Sequence, residues 1–283
     1  MEKLDLYIDR VKRLPPSPTV AIQLLNLFSD SDRDIDRIVE LVSHDPALTA
    51  QTLKRCNSAF IGGAVPASDM FEAVSRLGFY EVYCIVAALM ASRTMGQVQG
   101  KYGLDATRLW QHTVTTAVIA SILAKRVQVL EAAAFTAGLL HDLGKLILVS
   151  VDGFAYAEMV RKVGAFGPAL AAAEEAERGF THAALGARLL ARWGVPENIC
   201  VAVQLHHQAP TGTAQFQRIA ATVNVGNLLA HQMIDAPPNA SAAVDMSPEA
   251  LDLVDLENHD IPSILEKSHE ALEKVQGLLQ MKA

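Results

Sequence analysis

Histidine and acidic residues in the middle of the sequence could hold a metal ion. His141 and Asp142 are adjacent within AAAFTAGLLHDLGKLILVSV, residues 132–151, which predicts a helix over about 131–150. Successive side chains on a helix point about 100° apart, so this pair could face a metal beside the helix. An imidazole and a carboxylate together suit divalent Fe, Mn, Ni or Zn.

The alternative for this pair is an ordinary histidine beside an ordinary aspartate on the surface. The surrounding segment is apolar on nearly every side, which is typical of a buried helix. A buried carboxylate without a partner is costly, so Asp142 needs a cation, which Lys145 or a metal could supply. We therefore favour a metal site.

Other histidines accompany the pair, each on or beginning a predicted helix. His206 shares one helix face with Ala202 and Val203, so it points toward the core, and His207 lies at the edge of that face. Alone, His112 would carry no functional meaning, and His182 would be interpreted as a capping or surface residue. Together they extend the candidate metal ligands to His112, His141, Asp142, His182, His206 and His207.

A polar residue also falls on a buried stripe later in the chain. In the predicted helix 214–235, Asn227 shares a face with Ile219 and Val223. A buried amide must find hydrogen-bond partners. Its oxygen is a weaker, neutral metal ligand where an aspartate would be a natural one.

The elements that would carry these side chains are all helices. Apolar residues recur at helical spacing, and no convincing run of alternating strand residues is present. Asp45-Pro46 and Thr181 are helix-start signals. We predict helices over 46–57, from about 69, over 79–95, 106–127, 131–150, 182–194, 196–207, 214–235, 247–256 and 261–280.

The chain divides into three predicted units. Residues 10–105 form an N-terminal helical subdomain, and the polar stretch GQVQGKYG at 96–103 separates it from a histidine-bearing helical core at 106–235. Residues 236–283 form C-terminal helices that could pack on the body or mediate self-association, so a homo-oligomer stays open.

Composition limits the classes of protein that this could be. Hydrophobic residues make up 51% and aromatic residues 6%, which favours packed helices. The formal net charge of −7 argues against binding nucleic acid through phosphate neutralisation. The three scattered cysteines and the charged N-terminus, without a signal peptide or a spanning helix, predict a cytoplasmic location and no membrane association.

Several stretches, in order, resemble one known family. They are LPPSPTVAIQLLNLF at 14–28, LVSHDPALTAQTLKRCNSAF at 41–60, HDLGK at 141–145 and ERGFTHAALGARLLARWGVPENICVAVQLHH at 177–207. Together they resemble HDOD, the HD-related output domain branch of the HD superfamily of metal-dependent phosphohydrolases. The resemblance implies an all-α fold, with an HD-domain-like helical core and an N-terminal helical subdomain. It also implies a role in bacterial signal transduction.

The related HD-GYP branch, which hydrolyses cyclic di-GMP, binds metals at matching positions. By that resemblance all six candidate ligands named above would be metal ligands. Asp142 and Lys145 would be the candidate catalytic residues, with Lys145 near the substrate phosphate.

Two departures weigh against catalysis. The chain reads QAPTGT at 208–213, so the GYP signature is missing, and Asn227 stands where the superfamily has its last aspartate. We therefore favour a signalling output or regulatory module that binds partner proteins and could retain a divalent metal site. The alternatives are a metal-dependent phosphohydrolase or phosphodiesterase and a site that binds a nucleotide second messenger. The sequence leaves activity, metal identity and pathway open.

Overall fold

The computed structural model describes residues 2–10, 19–29, 35–57, 66–96, 105–164, 167–208, 213–235 and 246–279. Within these ranges the secondary structure is helical throughout, without strands, so the all-α prediction is confirmed. The predicted loops at 62–66, 96–103 and 236–242 and the segment at 208–213 lie wholly or largely outside the described residues.

The helices fall into three groups along the chain. The first six are α1 (Glu2–Arg10), α2 (Thr19–Ser29), α3 (Ile35–Ser43), α4 (Pro46–Cys56), α5 (Met70–Leu77) and α6 (Phe79–Gly96). The next seven are α7 (Ala106–Arg126), α8 (Glu131–Leu140), α9 (Leu143–Val163), α10 (Pro168–Arg178), α11 (His182–Arg192), α12 (Glu197–Leu205) and α13 (Ala214–Asp235). The last are α14 (Pro248–Leu253), a 3-10 turn (Asn258–Asp260) and α15 (Ile261–Leu279).

Side-chain caps explain several of the helix starts. Asp45 Oδ1 accepts the Leu48 backbone N–H at 3.0 Å, and Thr181 Oγ1 accepts that of Ala184 at 3.2 Å. Each bond satisfies a backbone donor that has no partner inside its own helix. The starts predicted at Asp45-Pro46 and Thr181 are confirmed.

Helix α7 lies at the centre of the fold, packed against both α8 and α13. Glycines allow these close approaches: a Cβ at Gly138 would lie 2.7 Å from the Ala117 Cα, and one at Gly226 would lie 3.2 Å from the Thr116 carbonyl oxygen. One continuous apolar cluster extends from Ile8 to Val223. The N-terminal helices and the histidine-bearing helices therefore share a core.

The prediction of one continuous helix over 131–150 is wrong. Helix α8 ends at Leu140 and α9 begins at Leu143, with Asp142 at its N-cap. Asp142 has φ −95° and ψ 7°, outside the helical region, so the chain turns at this point. His141 and Asp142 consequently lie at a junction between two helices rather than on the face of one.

Helix α9 continues beyond the predicted end, to Val163, and breaks at Gly153, where φ is 44°. Helix α10, in a segment for which the sequence analysis predicted no helix, packs against α9. Helix α1 packs against α11, where Arg188 donates two 2.8 Å hydrogen bonds to the Asp5 carboxylate. The ring of Tyr7 also meets that of Phe180, just before α11, edge-on with ring centroids 4.8 Å apart. These three segments surround the base of α11.

The C-terminal helices pack on the body. Ala250, Val254 and Ile264 join Ile119 and Leu229 in a second apolar cluster against α7 and α13. Arg126 also donates to the backbone carbonyl of Asp255 at 2.9 Å. Self-association remains a prediction.

The segment Glu131–Val163 is long and apolar enough by composition to cross a membrane. Its most apolar stretch is 100% buried within the protein, as in the core helix of a soluble domain.

Candidate metal centre

The structure brings all six predicted metal ligands to one place. His112 comes from the second turn of α7, His141 and Asp142 from the α8–α9 junction, and His182 is the first residue of α11. His206 and His207 follow directly after α12. The nearest donor atoms form two overlapping groups, each spanning no more than 4.8 Å, and Asp142 belongs to both.

The first group, which we call the four-ligand cluster, contains Asp142, His182, His206 and His207. The Nε2 atom of His182 lies 3.1 Å from that of His207 and 3.4 Å from that of His206. Asp142 Oδ1 lies 3.3 Å from His182 Nε2 and 3.8 Å from His206 Nε2.

The second group, the three-ligand cluster, contains His112, His141 and Asp142. The Nε2 atoms of His112 and His141 are 3.2 Å apart, and His141 Nε2 lies 3.4 Å from Asp142 Oδ2. The two oxygens of the Asp142 carboxylate thus face different clusters.

Hydrogen bonds on the far side of the rings orient these imidazoles. His141 Nδ1 donates to the Gly138 carbonyl at 2.7 Å, and His206 Nδ1 donates to the Val203 carbonyl at 2.6 Å. His182 Nδ1 donates to Glu174 Oε2 at 2.7 Å. A neutral histidine whose Nδ1 carries the proton presents the lone pair of Nε2, here toward the clusters, as metal-ligating histidines do.

Asp142 is ionised and only partly compensated. Burial raises its pKa, but His141 and Lys145 outweigh that effect and hold the pKa well below its usual value. Lys145 Nζ donates to Asp142 Oδ2 at 2.7 Å, and both side chains are almost fully buried. Asp142 Oδ1 accepts no hydrogen bond from the described residues.

The histidines differ in charge state. Burial, with neighbouring imidazoles, lowers the pKa of His112, His206 and His207 well below the usual value, so these rings are neutral and able to ligate. Burial also lowers the pKa of His182, but the Asp142 and Glu174 carboxylates outweigh it and raise that pKa. His182 is therefore the site where a proton and a metal would compete.

Glu174, a fully buried carboxylate on α10, was not among the predicted site residues. It accepts both the ring and the backbone N–H of His182 at 2.7 Å, and its other oxygen accepts the Tyr156 hydroxyl at 2.7 Å. Its signal in the sequence was a carboxylate on the apolar stripe that begins at Leu170 and Ala171. A carboxylate behind a histidine fixes the ring orientation and raises its strength as a ligand.

Two residues of α13 complete the surroundings of His112. Asn227, which is 2% exposed, accepts from His112 Nε2 at 2.8 Å through its amide oxygen. His231, which the sequence analysis did not select, stacks on His112 with ring centroids 4.3 Å apart. The predicted burial of Asn227 is confirmed. Its hydrogen-bond partner is His112, which is itself a candidate metal ligand.

These residues fit a divalent metal ion. Five imidazoles and a shared carboxylate converge. The donor atoms of Asp142 and of three of the histidines lie within 4.8 Å of one another, and the buried Oδ1 of Asp142 accepts no hydrogen bond from the part of the chain that the structure describes. Such nitrogen and carboxylate donors suit Zn, Fe, Mn or Ni.

Comparisons with known proteins agree with the resemblance in the sequence. The model of the HDOD domain family matches residues 14–209. An uncharacterized protein of Treponema pallidum (strain Nichols) is 28% identical over 234 residues, which are 78% of this chain and 42% of that protein. The chain thus spans less than half the length of this relative.

Solved structures share the fold over nearly the whole chain. An HDOD domain protein of unknown function from Geobacter sulfurreducens is 23% identical with a TM-score of 0.79, covering 98% of this chain and 96% of that one. A candidate phosphohydrolase from Shewanella amazonensis SB2B is 25% identical with a TM-score of 0.70, covering 97% of both chains. A candidate signal transduction protein from Marinobacter aquaeolei VT8 is 22% identical with a TM-score of 0.77, covering 99% of this chain and 65% of that one.

Proposed function

This chain belongs to the HDOD family, and from that premise we propose that it is a regulatory output module of bacterial signal transduction with a divalent metal ion in its helical core. Protein partners would bind its helical surfaces. We further propose a cytoplasmic location, which is supported by three free, buried cysteines, Cys56, Cys84 and Cys200.

The enclosure of the metal centre is the observation that carries this proposal. His141, His182 and His206 are 0% exposed, and Asp142 is 1% exposed. Catalytic metal sites keep an open position for water or substrate, whereas structural sites are closed by protein ligands. The burial of this centre favours a metal that stabilises the fold and its signalling surface.

The position of Lys145 supports the same conclusion. A phosphohydrolase needs a cation free to neutralise charge that develops on the phosphoryl oxygens. Lys145 is 1% exposed and its Nζ is bonded to Asp142, so this cation already serves an internal carboxylate.

If bound, the metal would hold its ligands together and could acidify a water molecule or polarise a phosphoryl oxygen. The chain's own residues would do the positioning. Glu174 and the carbonyls of Gly138 and Val203 hold the imidazoles of His182, His141 and His206, respectively. Asp142 supplies the negative charge.

A metal-dependent phosphohydrolase is the second candidate function. A cavity of 180 Å³ lies beside the centre, lined by His206, His207, Gln208, Asn224 and Ser247 among others, and could admit a phosphate ester or a nucleotide second messenger. Its described lining mixes polar side chains with the apolar Pro168 and Leu228 and contains no acidic residue, lysine or arginine, which favours binding over phosphoryl transfer.

Metal analysis and hydrolysis assays on one preparation test the proposal. Protein purified without chelators should contain a divalent metal, and Asp142→Asn, which changes the residue shared by both clusters, should lower its content. With Mn²⁺ or Fe²⁺ added, hydrolysis of bis-p-nitrophenyl phosphate and cyclic dinucleotides should not exceed that of Asp142→Asn. Efficient turnover lost in Asp142→Asn would establish the phosphohydrolase instead, and absence of bound metal would reject both functions.

A further inference from the structure

We propose that this chain holds a single divalent ion, in the four-ligand cluster, and that Lys145 and Asn227 keep a second ion out of the three-ligand cluster. The inference rests on the proposed metal-binding function and adds the number of ions and their position.

The four-ligand cluster needs a cation. His182 and His206 both use Nδ1 as a donor, to Glu174 and to the Val203 carbonyl, so in their neutral forms each presents a lone pair at Nε2. These two Nε2 atoms lie 3.4 Å apart. Facing lone pairs at this distance repel one another unless a proton or a metal lies between them.

The carboxylate adds to this demand. Asp142 Oδ1 lies 3.3 Å from His182 Nε2 without accepting a hydrogen bond from the described residues. This buried, negatively charged oxygen is stabilised only if His182 Nε2 carries a proton or a metal ion lies beside it, and leaving it without either is costly. An ion among Oδ1 and the three Nε2 atoms would satisfy all four donors and complete the four-coordinate set typical of closed sites.

The three-ligand cluster already has its partners. An amide oxygen can only accept, so the 2.8 Å contact to Asn227 Oδ1 requires His112 Nε2 to carry the proton. That nitrogen then has no lone pair for a metal. The other Asp142 oxygen, Oδ2, accepts the 2.7 Å hydrogen bond from Lys145 Nζ.

Charge also limits the centre to one ion. Asp142 is its one acidic ligand within the described residues, and Lys145 already offsets part of that charge. With Asp142, Glu174 and Lys145 charged and the histidines neutral, one divalent ion would leave a net charge of +1, and a second ion would raise it to +3 in the same buried space. Like charges a few ångströms apart repel strongly where water is excluded.

Cobalt titration of the full chain, followed by visible absorption of the bound ion and by metal analysis after gel filtration, tests the inference. The wild type should saturate at one equivalent. His207→Ala, which changes a half-buried ligand of the four-ligand cluster, should weaken binding roughly 10-fold or more. His112→Ala, which changes a histidine of the three-ligand cluster alone, should still bind one equivalent with little change in affinity.

The outcomes separate this inference from the proposed function. Two equivalents in the wild type, or loss of the single equivalent in His112→Ala but not in His207→Ala, would overturn the inference and leave the metal-binding module intact. No binding by the wild type would overturn both. Circular dichroism of each variant, with His207→Gln as a second substitution, distinguishes a lost ligand from a lost fold.

Discussion

At the scale of single residues, the centre is arranged around Asp142. One carboxylate oxygen faces three histidines and the other accepts from Lys145. A lysine beside one oxygen and candidate metal ligands beside the other give the two oxygens different roles. This asymmetry, together with Asn227, distinguishes the chain from a symmetric pair of metal sites.

Asn227→Asp is expected to create a second metal site. The new carboxylate would add a charged ligand beside His112 and supply negative charge for a second ion, which could then displace the proton at Nε2. Cobalt titration should then show a second, weaker equivalent. Asn224→Asp is the control because it adds the same charge one turn earlier on α13, where the Asn224 amide instead donates to the His206 carbonyl. An unchanged stoichiometry in Asn227→Asp would contradict this account of the three-ligand cluster.

Glu174→Gln is expected to lower metal affinity roughly 10- to 100-fold while the fold is retained. The amide keeps the shape and can still accept from His182 Nδ1, but it lacks the charge that strengthens this histidine as a ligand. Competition with a chromophoric chelator measures the loss. Tyr156→Phe, which removes a hydrogen bond to the other oxygen of Glu174, should cost less affinity. Equal affinity of Glu174→Gln and wild type would show that Glu174 serves only the fold.

At the scale of elements, the close packing of α9 on α11 brings Asp142 to His182. A Cβ at Gly144 would lie 1.9 Å from the His182 carbonyl oxygen and 2.9 Å from the Gly186 backbone nitrogen. Both contacts involve backbone atoms, which cannot move aside as a flexible side chain can. The glycine in HDLGK is thus required by helix packing.

Gly144→Ala is expected to destabilise the protein by about 3 kcal/mol and to weaken metal binding, because α9 and α11 must separate. Urea unfolding and cobalt titration measure the two effects. Gly186→Ala is the matched control on the facing helix, where the nearest atom to a new Cβ is 3.1 Å away, and it should be milder. A Gly144→Ala protein as stable as Gly186→Ala would show that the helix contact is looser than described.

At the scale of the whole molecule, the buried histidines connect folding to pH. Burial lowers the pKa of His112, His206 and His207 in the folded protein. In the unfolded chain these rings take up protons near pH 6.5, at about the ordinary histidine pKa. Below that pH the unfolded state therefore binds more protons than the folded state, and acid favours unfolding.

The free energy of unfolding of the metal-free protein should fall as the pH drops from 7 toward 5. The slope can reach about 1.4 kcal/mol per pH unit for each of the three histidines. Urea unfolding at several pH values, after a chelator has removed any bound metal, measures this slope. His207→Gln should reduce the slope, whereas His259→Gln, at a ring 76% exposed, should not. Stability that is constant or rises toward pH 5 would contradict the burial of neutral rings.

His182 acts in the opposite sense and in a different pH range. Its pKa is raised in the folded protein, so its contribution to stability is fully present below about pH 6.5 and is lost as the pH rises through the folded value. Because Glu174 and Asp142 cause the rise, Glu174→Gln should diminish this loss on the alkaline side.

The sequence by itself determined the helical class, the family and the set of candidate ligands. Caps such as Asp45 and Thr181 are local signals, because a side chain needs only the next three residues to satisfy a helix start. Helical periodicity likewise placed His206 and Asn227 on inward faces, since periodicity depends on neighbours along the chain.

Tertiary structure alone decided which atoms meet. The contacts of His112 with His141 and Asn227 join residues 29 and 115 positions apart, and the His182–Glu174 pair depends on how α10 turns back on α9. The break after Leu140 also escaped prediction, because the segment is apolar on both sides of the turn. Periodicity gives the face that a side chain occupies, but the partner across that face follows from the packing of helices distant in sequence.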